Sequence, residues 1–99
     1  MHKMYCIVRK DLKNHSHKAC QGGHAIAQYF LDHGLHDIWD NGTMVFLKAL
    51  NEAHLLKIKE DLDKNGINHS VFQEPDIGNQ YTALACIDIG ERFKNLALL

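Results

Sequence analysis

The alternation of apolar and polar positions along the chain predicts four strands and two helices, in the order β-α-β-α-β-β. Short runs rich in β-branched and aromatic residues predict strands at residues 4–9, 43–47, 67–72 and 81–89. Apolar residues at helical spacing predict helices over residues 18–31 and from Asn51-Glu52 to Asn65-Gly66. Helical connections between strands favour a parallel or mixed sheet with the helices packed on it.

The segments between these elements carry recognisable start and stop signals. The polar stretch 10–17 predicts a loop, and Gly34 predicts the end of the first helix. Further turns are predicted at Asn41-Gly42 and at residues 75–79. The apolar stripe of the first helix is predicted to be Ala19, Ile26, Ala27 and Phe30. Residues 91–99 predict a short docking helix with two inward side chains, Phe93 and Leu96.

Length and composition restrict the architecture to one domain over residues 1–99. A chain of 99 residues with 45% apolar and 23% charged residues suits one globular core. No apolar stretch reaches the roughly 18 residues of a membrane span, and the first residues lack the apolar segment of a signal peptide. These features predict a cytoplasmic protein without membrane contact.

The charged residues are distributed unevenly along the chain, and this distribution indicates what kind of partner the protein binds. Residues 1–20 contain five cationic residues and one acidic residue, a net charge of +4. The other 79 residues contain six cationic and eleven acidic residues, a net charge of −5. A positive patch on a protein with a pI near 6.7 predicts local contact with one anionic partner.

The cysteines and histidines do not match a strong metal or disulfide pattern. Cys6, Cys20 and Cys86 are odd in number and lie in apolar surroundings, so they are predicted to be buried thiols. Cys20 and His24 are spaced for joint coordination, but their neighbours fit no structural zinc spacing. We therefore predict no metal.

Candidate chemistry lies after the first strand and in the turn before the last. Lys18, Gln21 and His24 recur at intervals of three, so they sweep about 120° of one helix face. They are interpreted either as a solvated face or as convergent polar groups. Asp76 lies in the later turn, where it either caps the turn or orients the lysine or histidine. Gly22-Gly23 allows close packing on a strand or a ligand.

The order of these motifs resembles the type-2 peptidyl-tRNA hydrolase family. The resemblance starts at Arg9 with Asp11-Leu12-Lys13, continues through Lys18, Gln21 and the Gly23-His24-Ala25 step, and includes Trp39 and Gly42. It ends with Asp76-x-Gly78 and Thr82, so it spans about residues 4–90. It implies a three-layer α/β/α domain with a four-stranded mixed sheet, cleavage of the ester between a peptide and tRNA, and no metal or organic cofactor.

The resemblance also implies roles for individual residues, with water as the nucleophile. The expected catalytic residues are His24 or Asp76, acting on the water, and Lys18 or Thr82, stabilising the oxyanion. The expected substrate-binding residues are Arg9, Lys10, Asp11, Lys13, Gln21 and Asn79. Lys10, Lys13 and Lys18 are assigned to phosphates, whereas the Gln21 and Asn79 amides suit the ribose or the peptide backbone.

Two other functions fit the same sequence. A non-catalytic module that binds RNA ends, nucleotides or a protein is favoured by the low pI and by Lys18 and Gln21, which are one residue closer than is usual in the family. A hydrolase of another ester or amide is also compatible, because a fold does not fix a substrate. Family resemblance further implies a homodimer, for which residues 91–99 are the candidate interface unless they dock on their own core.

Overall fold

The strands and helices follow one another in the predicted order in a computed structural model that describes residues 1–34, 39–40 and 42–99. The strands are β1 (Lys3–Arg9), β2 (Met44–Ala49), β3 (His69–Glu74) and β4 (Gln80–Asp88). The helices are α1 (His15–His33) and α2 (Glu52–Lys64). Single turns of 3-10 helix follow β3 and β4, at Pro75–Ile77 and Glu91–Phe93.

The four strands form one mixed sheet in the order β2-β1-β4-β3. β1 pairs with β2 in parallel and with β4 antiparallel, and β3 pairs with β4 antiparallel. The strands β1, β2 and β3 therefore run in the same direction, with β2 and β3 at opposite edges of the sheet. This arrangement confirms the predicted mixed sheet.

Alternate residues of β1 supply two separate cores, one on each face of the sheet. Met4, Cys6 and Val8 pack on the α1 side with Ala25 and Tyr29. Tyr5 and Ile7 pack on the α2 side, in a cluster that also contains Leu55 and Leu62. Successive side chains of a strand point to opposite faces, so a strand buried on both sides separates two helical layers. The three-layer α/β/α architecture is confirmed.

Helix α1 begins three residues earlier than the sequence predicts. The Asn14 side chain accepts a hydrogen bond from the His17 amide at 2.7 Å, which caps the helix at its first turn. The predicted loop was therefore wrong over residues 15–17. Helix α2 begins as predicted, because the Asn51 side chain caps it through the His54 amide at 2.9 Å.

The buried face of α1 also differs from the predicted apolar stripe. Its fully buried residues are Gln21, Gly22, Ala25 and Tyr29, whereas Ile26 and Phe30 are partly buried and Ala19 and Ala27 are exposed. Gly22 brings the helix close to the sheet, since a Cβ at this position would lie 2.9 Å from the Phe46 ring and 3.3 Å from Val8. The close approach of α1 to the sheet at Gly22 therefore determines which face of the helix is buried, more than the number of apolar side chains on that face.

The segment after β4 docks on its own core, but it is not a helix throughout. Only Glu91–Phe93 forms a helical turn, and Phe93 is buried against Tyr5 with ring centroids 5.1 Å apart. The chain then runs antiparallel to β2, where the Lys48 amide donates to the Ala97 carbonyl and the Leu99 amide to the Phe46 carbonyl, both at 3.0 Å. The unpaired backbone of an edge strand favours this extended pairing over a longer helix.

The remaining boundaries differ from the predictions by a few residues. β2 and β3 both extend two residues further than predicted, and the turn after β3 contains two left-handed residues, Gly78 and Asn79. Of the predicted turn at Asn41-Gly42, Asn41 lies outside the described residues. None of the described helices combines the length and apolar character that crossing a membrane requires.

Only two of the three cysteines are buried as predicted. Burial raises the pKa of both Cys6 and Cys86 to about 12. Cys20 is exposed on α1, so the prediction of a buried thiol was wrong at this position. It lies on the solvent side of the helix, next to Gln21 on the buried side.

Candidate functional site

The carboxyl ends of β1, β2 and β3 and the amino end of β4 lie along the same edge of the sheet, the edge formed by the strand ends. Both α1 and α2 also begin there, directly after the loops that leave β1 and β2. Ligands of open α/β sheets bind at this edge, where loops and helix amino termini converge. The candidate residues of the sequence lie around this edge.

Arg9 and Asp11 join the strands at this edge. The buried Arg9 guanidinium donates to both Asp11 carboxylate oxygens at 2.9 Å, to Gln80 Oε1 at 2.9 Å and to the Tyr81 carbonyl at 3.1 Å. The hydrogen bond from Arg9 lowers the pKa of Asp11. Both residues were expected to bind substrate, and their charged groups are engaged with each other and with the start of β4.

A chain of hydrogen bonds crosses from β4 through α1 to the end of β3. The Thr82 hydroxyl donates to Gln21 Oε1, and Gln21 Nε2 donates to Glu74 Oε1 at 2.6 Å. Thr82 is fully buried and Gln21 is 1% exposed. Because buried polar groups are costly unless satisfied, this pairing holds the Gln21 amide in one orientation. Glu74 is thereby held by one buried neighbour, Gln21, which Thr82 in turn orients.

Glu74 is held in its charged form. The hydrogen bond from Gln21 lowers its pKa, and the Asp76 amide and the positive charges of His24 and His17, when protonated, act in the same direction. The Asp76 amide lies 3.4 Å from Glu74 Oε2. His24 stacks on Phe72 of β3, with ring centroids 4.6 Å apart and planes 22° from parallel. The Glu74 carboxylate and the His24 imidazole thus both lie between α1 and β3.

A cationic cleft of about 640 Å³ lies on the other side of α1. Its basic lining consists of Lys10, His15, Lys18 and Lys48, and the rest of the lining consists of Ala19, Gly23, Phe46 and Leu99. The cleft combines positive charge with apolar surface. Such a lining suits an anion that also carries a flat or apolar group.

The structure separates the three polar residues of the helix. Lys18 lines the cleft beside β2, Gln21 contacts Thr82 of β4, and His24 stacks on β3. In the described residues, no ion pair within 4 Å links Lys18 or His24 to Asp76. Asp76 is exposed, and so are Lys10, Lys13 and Asn79. The Asn79 carbonyl accepts a hydrogen bond from Gln73 at 3.1 Å.

Several residues of these surfaces were absent from the sequence-based candidates. They include Glu74, His15, His17, Lys48 and Phe46. The signal for Glu74 is its place directly before Pro75, at the carboxyl end of β3. No sequence motif marks Lys48 and Phe46 as site residues. They line the cleft because the fold places β2 beside α1. Among the described residues, no group of three or more His, Cys, Asp or Glu is arranged to hold a metal ion.

Comparison with known proteins identifies the family of this fold and site. A solved structure of a protein of unknown function from Agrobacterium tumefaciens superposes with a TM-score of 0.72 at 16% identity, covering 99% of this chain and 97% of that chain. At this identity the match shows a common fold. A search of curated proteins gave no significant match. The family model for peptidyl-tRNA hydrolase PTH2 matches residues 2–90, and the chain therefore belongs to the PTH2 family.

Proposed function

We propose that this protein hydrolyses the ester between tRNA and a peptide or N-blocked amino acid, which recycles the tRNA. The observation that carries the proposal is the match of the PTH2 family model to residues 2–90. Two features of the fold support it. A cationic cleft suits RNA phosphates, and a carboxylate and an imidazole, those of Glu74 and His24, both lie between α1 and β3.

In this proposal water attacks the ester carbonyl, and the tRNA 3′ oxygen leaves. His24 or Asp76 acts on the water, and Lys18 or Thr82 stabilises the oxyanion. The fully buried Thr82 hydroxyl donates to Gln21, which favours Lys18 as the oxyanion donor. Lys10, Lys13 and Lys18 contact phosphates, with Arg9, Asp11, Gln21 and Asn79 as further residues around the substrate.

The remaining features follow from the same activity. Recycling of tRNA accompanies translation, so we propose a cytoplasmic location. We also propose that the reaction needs neither a metal nor an organic cofactor. A homodimer is compatible with the exposed Leu98 and Leu99, although the burial of Phe93 shows that the segment from Glu91 docks on its own core.

The test is release of labelled peptide from N-acetylated aminoacyl-tRNA by the purified protein, with and without a chelator. We expect turnover by the wild type that the chelator does not change. Lys18→Ala, His24→Ala and Asp76→Ala are assayed beside it. Substitution of a residue that the chemistry needs is expected to lower kcat by roughly 100-fold or more. Circular dichroism confirms that each variant is folded. A folded wild type without turnover contradicts the proposal for this substrate.

A binding module without catalysis is the second candidate. The observation that favours it is the separation of Lys18, His24 and Asp76, between which the described residues form no ion pair within 4 Å. The same assay discriminates the two functions when it is combined with RNA binding. Binding of the tRNA acceptor end without turnover favours the module, whereas turnover excludes it.

A further inference from the structure

We infer that Glu74 is the carboxylate that binds and orients the attacking water, with His24 as the group that takes its proton. This inference rests on the proposed hydrolase activity and assigns a residue outside the sequence-based candidates. It follows from the contacts that hold the Glu74 side chain and from the groups that face it.

The first argument is the way in which the carboxylate is held. Gln21 Nε2 donates to Glu74 Oε1 at 2.6 Å, and the Thr82 hydroxyl donates to Gln21 Oε1. A fully buried threonine and a glutamine that is 1% exposed are thus used to orient one half-buried carboxylate. A side chain supported by neighbouring hydrogen bonds has the fixed geometry that catalysis requires.

The second argument is the acceptor capacity that remains on Glu74. A carboxylate oxygen accepts about two hydrogen bonds. The contact to Oε2 is a long one, 3.4 Å from the Asp76 amide. Oε2 can therefore accept a hydrogen bond from a water molecule while Oε1 remains bound to Gln21.

The third argument is the position of His24 relative to this oxygen. Stacking on Phe72 fixes the imidazole against β3, and Glu74, two residues further along that strand, contacts the same helix through Gln21. No ion pair within 4 Å connects the two groups in the described structure. One water can bridge two polar groups that make no direct hydrogen bond, and a general base can act through such a bridge.

The proposed step conserves atoms and charge. The water oxygen forms a bond to the ester carbonyl carbon as one of its protons moves to a His24 ring nitrogen. The resulting tetrahedral oxyanion collapses, the bond from that carbon to the tRNA 3′ oxygen breaks, and the imidazolium returns the proton to the leaving oxygen. The anionic Glu74 accepts a hydrogen bond from the water and stabilises the imidazolium.

Asp76 lacks the corresponding support. Its side chain is exposed, and within the described residues the carboxylate has neither a hydrogen bond nor an ion pair. Only its backbone amide takes part in the network, as a donor to Glu74. The geometry therefore favours Glu74 over the carboxylate two residues later.

The first test compares turnover in matched variants. Glu74→Gln keeps the shape and leaves an amide oxygen that accepts from Gln21, so we expect a folded protein with kcat lowered roughly 100-fold. Glu60→Gln makes the same change on an exposed part of α2 and is expected to retain wild-type kcat. Asp76→Asn is expected to lose less than Glu74→Gln. An active wild type with the reverse order of losses, or with no loss in Glu74→Gln, overturns the inference and leaves the proposed function standing.

The second test does not depend on turnover. The charged groups around Glu74 are His17 and His24 from α1 and Asp76 from the following turn. Replacing the Glu74 carboxylate by an amide changes the surroundings of the imidazole, so the ring resonances of His24 are expected to shift at constant pH in the NMR spectrum of Glu74→Gln. They are expected to stay in place in Glu60→Gln. An unchanged His24 spectrum in Glu74→Gln overturns the inference, even for a protein that hydrolyses nothing.

Discussion

At the scale of single residues, the two adjacent glycines of α1 have different reasons to be there. A Cβ on Gly22 would lie 2.9 Å from Phe46 Cε2, 3.3 Å from Val8 and 3.4 Å from Cys6, so this position is close-packed against the sheet. A Cβ on Gly23 would meet nothing within 4 Å. Only the first glycine is required for packing.

This difference predicts opposite effects of the same substitution. Gly23→Ala is expected to stabilise the protein by about 1 kcal/mol, because alanine is the better helix former and the site is open. Gly22→Ala is expected to destabilise it by about 1 kcal/mol, because the displacement of Phe46 outweighs the helix preference. Urea denaturation measures both. Equal effects of the two substitutions would contradict the packing argument.

The cysteines predict a residue-specific pattern of thiol reactivity. Burial raises the pKa of Cys6 and Cys86 to about 12 and excludes reagent, whereas Cys20 is exposed. We expect Cys20 alone to react with a chromogenic disulfide reagent at pH 8, and all three cysteines to react in denaturant. Cys20→Ser serves as the control and is expected to abolish the fast reaction. Rapid reaction of a second thiol in the folded protein would refute this assignment.

The Arg9–Asp11 pair predicts a pH-dependent contribution to stability. Because the hydrogen bonds from Arg9 lower the pKa of Asp11, the pair stabilises the fold above the ordinary carboxyl pKa of about 4. That contribution is lost as pH falls through the lowered value. Asp11→Asn is expected to cost about 1–2 kcal/mol at pH 7, since the Asp11 side chain is 40% exposed and solvent screens the pair.

The measurement for this pair is denaturant unfolding of the wild type and Asp11→Asn between pH 3 and pH 7. The difference between the two proteins is expected to shrink toward the acid end, where the wild-type carboxyl is protonated. A difference that stays constant with pH would show that packing, and not charge, accounts for the loss.

At the scale of elements, the sequence predicted the helices and strands better than their ends. Periodicity and glycine signals identified every main element, because burial on a sheet imposes periods that are visible in the chain. The start of α1 was missed, since Asn14 caps the helix through a side-chain hydrogen bond that hydrophobic periodicity does not register. The last segment was predicted as a helix, but its backbone groups pair with β2, a partner distant in sequence.

The docking of this last segment depends on one buried ring. Phe93 is 4% exposed and contacts Tyr5, whereas Leu98 beside β2 is 71% exposed. Phe93→Ala is expected to cost about 3 kcal/mol by leaving a cavity in the core. Leu98→Ala is expected to cost less than about 0.5 kcal/mol. Urea denaturation distinguishes them, and a loss from Leu98→Ala as large as that from Phe93→Ala would show that the Phe93 ring is not the main side-chain anchor of the segment.

The candidate site illustrates a second limit of the sequence. The spacing of Lys18, Gln21 and His24 predicts one helix face about 120° wide. Spacing does not say how the helix lies on the sheet. Since α1 lies across it, Lys18 is directed to β2 and His24 to β3, and these two edge strands are three strand spacings, roughly 14 Å, apart. Residues whose spacing suggests one common site, such as Lys18 and His24, therefore lie at two separate surfaces.

At the scale of the whole molecule, the uneven charge of the chain becomes a localised surface. Residues 1–20 have a net charge of +4, and the fold brings Lys10 and Lys18 to one cleft together with Lys48 of β2. Lys64 lies at the opposite end of the sheet, where α2 ends. Three of the eleven lysine and arginine residues thus line one cleft beside the ends of β1 and β2, although the total charge of the protein is −1.

This placement predicts which lysines govern the salt dependence of RNA binding. Each phosphate contact adds nearly one unit to the slope of log affinity against log salt concentration, because binding releases a condensed counterion. Lys10→Ala and Lys48→Ala are each expected to reduce the slope by about one for an acceptor-stem RNA, and Lys64→Ala is expected to leave it unchanged. Binding isotherms over a series of KCl concentrations measure the slopes. If Lys64→Ala reduced the slope as much as Lys10→Ala, RNA binding would depend on overall charge and the cleft would not be the RNA-binding surface.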